Sequence, residues 1–239
     1  MIPLEKGAYL ARAAQGQEDM AAVFALRCRC FGAAGGAADR FDTSAVHVLV
    51  IAACGTPVAT FRVALLQGPQ IADSYAAQYY DLAALEVYGG LMLELGRFCI
   101  HPDHSDPDIL RIAWAALTAY VDESGVQMLF GCSSFAGTDP APYLDAFALL
   151  KARHLAPAGL APHIKAGEVY SYATLLRRKV DLKKANGAMP PLLRTYLLMG
   201  GWVSDHAVVD RVMDTLHVFT CLDIATIPSA RKKLLRALV

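Results

Sequence analysis

Two hydrophobic periods succeed one another along the chain, and the points where they switch outline its elements. "GAYLARAA" (7–14) alternates with period two and predicts a first strand. In "QEDMAAVFALRCRCF" (17–31), Met20, Val23, Phe24, Arg27 and Phe31 recur at helical spacing, so a helix is expected with an arginine on its apolar face. "GAAGGAADRFD" (32–42) reads as a Gly/Ala loop ending in acids. "AVHVLVIAA" and "VATFRVALLQ" predict two strands around the "CGTP" break. "SYAAQYYDLAALEVYG" (74–89) predicts a helix, and "LMLELGRFCI" (91–100) a strand. "DPDILRIAWAALTAYVDESG" predicts a helix with Asp106 as N-cap, Pro107 at its first position and Gly125 past its end. A strand "VQMLFGCSSF" and a helix "DPAPYLDAFALLKARH" follow.

A long excursion rich in Ala, Pro, Gly and Lys occupies about 151–189. Beyond it, "PPLLRTYLLMGG" predicts a helix, "WVSDHAVV" and "LHVFTCLDI" strands, and "IPSARKKLLRAL" a short basic helix. The order is mixed α/β, and 239 residues suit one domain, 1–239, with the excursion inserted.

Composition narrows the class. The chain is 55% hydrophobic and 18% charged, which excludes a disordered protein. The N-terminus has no apolar signal core, and the apolar stretch at 45–61 is broken by "CGTP", too soon for a membrane span of about 20 residues. Six cysteines without a CxxC pair fit a reducing cytoplasm. The net charge is zero but unevenly placed. Residues 1–174 hold 11 Lys/Arg against 17 Asp/Glu, and 175–239 hold 11 against 5. The basic part, with Arg177, Arg178, Lys179, Lys183, Lys184, Arg231, Lys232, Lys233 and Arg236, suits an acidic partner or an anionic surface. There is no GxGxxG, no Walker A and no nucleic-acid motif.

The chemistry concentrates in "LMLELGRFCI". Strict alternation would put Leu91, Leu93, Leu95 and Arg97 on one face, and Met92, Glu94, Gly96 and Phe98 on the other. A carboxylate inside such a strand is costly unless paired or used. Glu94 either faces a cleft where a substrate amine arrives or pairs with a structural arginine such as Arg62. Gly96 signals a bulge or a close backbone approach.

Arg27 with Phe31, then Asp39 and Asp42, then Arg62, then Glu94-Leu-Gly-Arg97 resembles the signature of acyl-homoserine-lactone synthases, which have the GNAT acyltransferase fold. A longer resemblance spans nearly the whole chain. "ELGRFCIHPDHSDPDILRIAWAAL", "LFGCSSFAGTDP" and "MPPLLRTYLLMGGWVSD" are similar to the ornithine–acyl-carrier-protein N-acyltransferases. This resemblance implies an α/β (α+β) GNAT fold, a mixed central sheet splayed between strands 4 and 5 and flanked by helices. It implies transfer of a 3-hydroxyacyl chain to the α-amine of L-ornithine, giving lyso-ornithine lipid. "HPDHSDPDI" stands where GNAT enzymes carry the loop that binds coenzyme A pyrophosphate. The implied donor is therefore the phosphopantetheine thioester of acyl carrier protein, with no tightly bound cofactor and no metal.

On this resemblance Glu94 is the base and Tyr143 the acid for the leaving thiolate. Tyr143 is also read as a core residue, the reading its apolar neighbours favour. Arg27, Phe31, Asp39, Asp42, Arg62 and Arg97 are the candidate acceptor-binding set, and each also has a structural reading. Gly96, Phe98, Phe130, Ser133 and Phe135 are candidates for the acyl and pantetheine path. The expected partners are acyl carrier protein, L-ornithine and a peripheral contact with the inner face of the cytoplasmic membrane. The alternatives are a homoserine-lactone synthase using S-adenosylmethionine, and a glycerolipid O-acyltransferase suggested by the H-x4-D spacing of His101 and Asp106.

Overall fold

The computed structural model describes residues 3–236, with side chains described to residue 233. The chain forms two compact units. The first comprises the chain up to Leu65, Leu93–Gln127, and the segment from Pro228 on. The second comprises Leu66–Met92 and Met128–Ile227.

The first unit is a meander. Strand β1 (Leu4–Lys6) pairs antiparallel with β2 (Tyr9–Ala13), β2 with β3 (Val46–Ala52), and β3 with β4 (Pro57–Leu66). Strand β6 (Met92–Ile100) lies beside β4. Helix α1 (Gly16–Gly36) packs on β3, and α2 (Pro107–Ser124) packs across β1, β2 and β3. The boundaries of α2 follow from its sequence. The Asp106 carboxylate accepts Asp108 N, Pro107 opens the helix, and Gly125 closes it at φ 67°, a conformation glycine adopts without steric cost. Helix α7 (Ser229–Arg236) runs along α2. The end of the expected basic helix, 237–238, and the Arg236 side chain lie outside the described residues.

In the second unit β7 (Met128–Ala136) and β12 (Thr215–Asp223) form an unbroken antiparallel ladder from Ala136↔Thr215 to Met128↔Asp223. β11 (Ala207–Asp210) extends it beyond β12, and β9 (Val169–Tyr170) beyond β11. β10 (Trp202–Val203) also pairs with β12. Each face of this sheet carries its own core. Phe130, Phe219, Trp202 and Tyr80 fill one, and Phe135, Phe147, Tyr172, Leu216 and Val218 the other. Helices α3 (Leu144–Arg153), α4 (Tyr172–Leu175), α5 (Leu182–Ala188) and α6 (Pro191–Leu198) complete the unit.

Several expectations are corrected. Residues 74–89 are not a helix. They are 3-10 turns at Ala76–Gln78 and Ala83–Leu85, with β5 (Tyr80–Asp81) between them pairing with β8 (His163–Ile164). The carbonyls that a helix would use internally are taken by the excursion. Lys165 Nζ donates to Ala77 O at 2.6 Å, and Ala166 N to Tyr79 O at 3.0 Å. The Gly/Ala loop is shorter than expected, since α1 continues past a break at Gly32 (φ 75°) to Gly36. "WVSDHAVV" is two strands rather than one. Ser204 between them accepts Phe219 N with its hydroxyl and donates to His206 O.

Candidate active site

Two acids and three arginines converge in the first unit. Asp39 and Asp42 sit in a tight turn after α1, where Asp39 N donates to Asp42 Oδ2 (2.8 Å) and Phe41 N to Asp39 Oδ1 (3.0 Å). Arg27 reaches the turn from α1, and its Nη1 donates to Asp42 Oδ1 at 2.8 Å. Arg62, from β4, donates through Nη1 to Asp39 Oδ1 and Asp42 Oδ1, both at 2.5 Å. Arg97, from β6, donates to Asp39 Oδ2 at 3.0 Å. Thus five of the six expected acceptor-binding residues form one cluster. Phe31, the sixth, is half-buried on α1 just before the break at Gly32.

The ion pairs of the cluster set its electrostatics. Burial opposes the charge on Asp39 and Asp42, yet the arginine bonds outweigh it and both carboxyls lie below their usual range. Burial likewise opposes the Arg62 charge, and bonds to Asp39 and Asp42 hold it above its usual value. His47 touches Asp42 O through Nε2 at 3.2 Å, and burial lowers its pKa, so it is neutral at pH 7. Three guanidiniums therefore face two carboxylates. Arg27, only 1% exposed, keeps a buried Nε without a hydrogen-bond partner. A guanidinium fork of this kind suits a carboxylate ligand.

Strand β6 carries the other chemistry. Glu94 is buried at 6% exposure. Arg97 has φ 52°, a left-handed conformation that a non-glycine residue adopts at a cost of about 1–2 kcal/mol. This break corrects the expected alternation. Arg97 turns to Asp39, on the Arg62 side, where a Cβ on Gly96 would touch Arg62 Nε at 3.4 Å. Phe98 is sent to the opposite side and stacks on Phe61 (centroids 5.6 Å). The glycine foreshadowed a bulge, but its effect on the two residues after it was not legible.

The remaining candidates belong to the second unit. Phe130 and Phe135 lie on opposite faces of β7, with Ser133 on the Phe135 side. Phe130 stacks on Phe219 (5.8 Å), and Phe135 packs on Tyr143 (5.0 Å) and Phe147 (4.9 Å). The half-buried Tyr143 donates from its hydroxyl to Ala136 O at 2.7 Å. A cavity of about 370 Å³ opens between Ile71, Tyr80, Leu82 and Ile164, with Asp81 and Lys165 at its rim, and none of the expected path residues line it.

Sequence reasoning missed a buried imidazole network in this unit. Tyr80 donates to His217 O (2.7 Å) and contacts His217 Nδ1 at 3.1 Å, and the Tyr80 ring lies between those of His206 and His217. The available signal was a histidine inside the apolar run "LHVFTCL". The H-x4-D pattern does not form a dyad. Asp106 caps α2 and accepts Tyr9 Oη at 2.8 Å, whereas His101 accepts Asp103 N at 3.2 Å.

Residues 22–115 match the acetyltransferase (GNAT) domain family, and together with the relatives that follow this makes the chain a GNAT acyltransferase. The chain is 36% identical over 195 residues to L-ornithine N(alpha)-acyltransferase of Rhodobacter capsulatus, covering 78% of this chain and 74% of that one. It is 30% identical over 203 residues to the protein of the same name from Brucella abortus, covering 80% and 72%. It belongs to the L-ornithine N(alpha)-acyltransferase family. Among solved structures, FeeM, an N-acyl amino acid synthase from uncultured soil microbes, shares the fold with a TM-score of 0.51. Identity to it is 13%, over 100% of this chain and 99% of that one.

Proposed function

We propose that the chain transfers a 3-hydroxyacyl group from the phosphopantetheine thioester of acyl carrier protein to the α-amine of L-ornithine, giving lyso-ornithine lipid. The reading takes 1–239 as one catalytic domain that includes the excursion at about 151–189. The observation that carries it is a glutamate buried in a strand, three residues ahead of a left-handed backbone break, in a chain of this family.

Glu94 takes the proton of the ornithine α-ammonium, directly or through a water. The neutral nitrogen attacks the thioester carbonyl, the C–N bond forms, and backbone N–H groups beside Gly96 and Arg97 stabilise the oxyanion. The C–S bond breaks, and Tyr143 supplies the thiolate with its proton. Arg27, Arg62 and Arg97 are the candidate guanidinium forks for the substrate carboxylate, while Asp39 or Asp42 attracts its side-chain ammonium. Phe31 bounds the acceptor side. Gly96 and Phe98 are the first unit's candidates for the acyl and pantetheine path. In the second unit Ser133 and Phe135 share a face of β7 and stay candidates, whereas Phe130 lies on the other face, packed on Phe219, and is set aside.

The carrier protein is acidic, and the excursion offers it a fixed basic surface. Leu176 and Val180 pack inward, and Arg178 grips Asp145 through two bonds of 2.8 and 3.0 Å. This leaves Arg177, Lys179 and Lys183 exposed beside Leu175 (66%) and Leu182 (45%). No described helix is long and apolar enough to cross a membrane. We place the enzyme in the cytoplasm, with α7 (Arg231, Lys232 and Lys233) touching the anionic inner face of the membrane.

The test is mass spectrometry of the purified protein with 3-hydroxyacyl carrier protein and a panel of amino acids and S-adenosylmethionine. An N-acyl ornithine that disappears in Glu94→Gln is the expected result. A homoserine lactone, or product only after a lysolipid is added, overturns it.

A further inference from the structure

The cavity of about 370 Å³ in the second unit is built by two stretches far apart in sequence. β5 pairs with β8 in the register Tyr80↔Ile164 and Asp81↔His163. This brings Lys165 to Ala77, whose carbonyl accepts its Nζ at 2.6 Å. The walls are fixed from within. Ser74 Oγ donates to Ile71 O at 2.7 Å and accepts Ala77 N at 3.1 Å. Gly68 opens the 3-10 turn Gly68–Asp73 close against Glu86, where a Cβ on it would lie 2.3 Å from Glu86 O.

Ile71, Leu82 and Ile164 give the cavity an apolar lining, and three charged side chains line it too: Asp81, Glu86 and Lys165. Among the described residues these three form no ion pair. Asp81 Oδ1 accepts Ala83 N at 3.0 Å, which leaves Oδ2, and the Lys165 ammonium spends one of its three protons on Ala77 O. Opposite charges that share a cavity without pairing suit a ligand that carries the complementary set. An acyl chain alone would strip water from these charges and return no bond. A metal cation would meet Lys165, and a simple anion would meet two carboxylates.

We propose that this cavity is a binding site for a free dibasic α-amino acid. The ligand's carboxylate meets Lys165, its two ammonium groups meet Asp81 and Glu86, and its methylene arm lies on Ile71, Leu82 and Ile164. The charges match one to one, with two negative and one positive side chain facing two positive groups and one negative group of the ligand. The volume falls near the lower end of the range of about 300–1,000 Å³ for small-molecule sites. Every lining residue belongs to the second unit, whereas Arg27, Asp39, Asp42, Arg62 and Arg97 belong to the first. The cavity is thus a second amino-acid site. It concerns binding alone and does not rest on the acyl transfer proposed above.

The experiment is hydrogen–deuterium exchange of the full chain with L-ornithine and no acyl donor, read by mass spectrometry of its peptides. Exchange is expected to slow in the peptides covering 71–86 and 163–166, and L-lysine acts alike. L-norvaline, which lacks the side-chain ammonium, and putrescine, which lacks the carboxylate, leave these peptides unchanged at the same concentration. This panel tests the charges on the unaltered chain. Lys165→Gln and Glu86→Gln each raise the ornithine concentration for half-protection about tenfold, the effect of losing one charge-assisted bond. Lys165→Gln keeps a donor for Ala77 O, and circular dichroism confirms that both variants fold. Protection confined to peptides around 27–42, 62 and 94–97, protection of the cavity by a 3-hydroxy fatty acid in place of ornithine, no protection, or a half-protection concentration unchanged in both variants overturns the proposal.

Discussion

One nitrogen of Arg62, Nη1, donates to Asp39 Oδ1 and Asp42 Oδ1, each at 2.5 Å, and so ties β4 to the turn that follows α1. Arg27 meets the same Asp42 oxygen from the helix. Asp42, with its side chain 7% exposed, is the shared counter-charge of two buried guanidiniums. Asp42→Ala removes it and is expected to cost about 3–5 kcal/mol, the range for breaking a buried pair from one side. Urea unfolding measures this. A loss below about 1 kcal/mol, as for a surface pair, would show that water reaches the cluster.

Glu94 sits in a strand where a carboxylate without a task is a liability. Glu94→Gln keeps its shape. If Glu94 is the base, turnover falls about 10²–10⁴-fold while the melting temperature stays close to wild type. If Glu94 only braces the fold, the melting temperature drops and the activity of the folded fraction persists.

Much of this fold is legible in the residues. α2 begins and ends where Asp106, Pro107 and Gly125 dictate, and β3, β4, β6, β7 and β12 follow their hydrophobic runs. The failures share a cause. Residues 74–89 have helix-forming composition, yet Lys165 and Ala166, about 90 positions away, claim the carbonyls of Ala77 and Tyr79. Tertiary partners of this kind leave no local periodicity to read. The cluster of Arg27, Asp39, Asp42, Arg62 and Arg97 was legible as a set of charges in apolar surroundings. That its members bond chiefly to one another was not, because sequence spacing does not say which charges meet.

The left-handed Arg97 gives an unusual ordering of variants. Glycine inside a strand ordinarily destabilises by about 0.5–1 kcal/mol relative to alanine. At φ 52° the alanine side chain bears the steric cost and glycine does not. Arg97→Ala and Arg97→Gly both lose the bond to Asp39. Arg97→Gly is therefore expected to be the more stable, by about 1 kcal/mol, in urea unfolding. The reverse order would mean that β6 is regular at this position in solution.

His217 makes the acid branch of the stability profile readable. It is 3% exposed, and burial first, then His206, lower its pKa to about 4 against the pull of Asp210. In the unfolded chain a histidine titrates near 6.5. Between these values the unfolded chain binds a proton that the folded chain refuses, so stability is full above about pH 6.5 and falls as the pH drops toward 4. The single site contributes about 3 kcal/mol over that window. Burial lowers His47 and His154 in the same direction, so part of the slope remains without His217. Asp39 and Asp42 act in a separate window. Their pKa values are depressed, so their contribution is lost only as pH falls below about 4. His217→Gln should flatten the urea midpoint between pH 6.5 and 4 and leave the steeper loss below pH 4 in place. An unchanged slope in His217→Gln would mean that His217 is protonated in the folded chain and that His47 and His154 carry the whole effect.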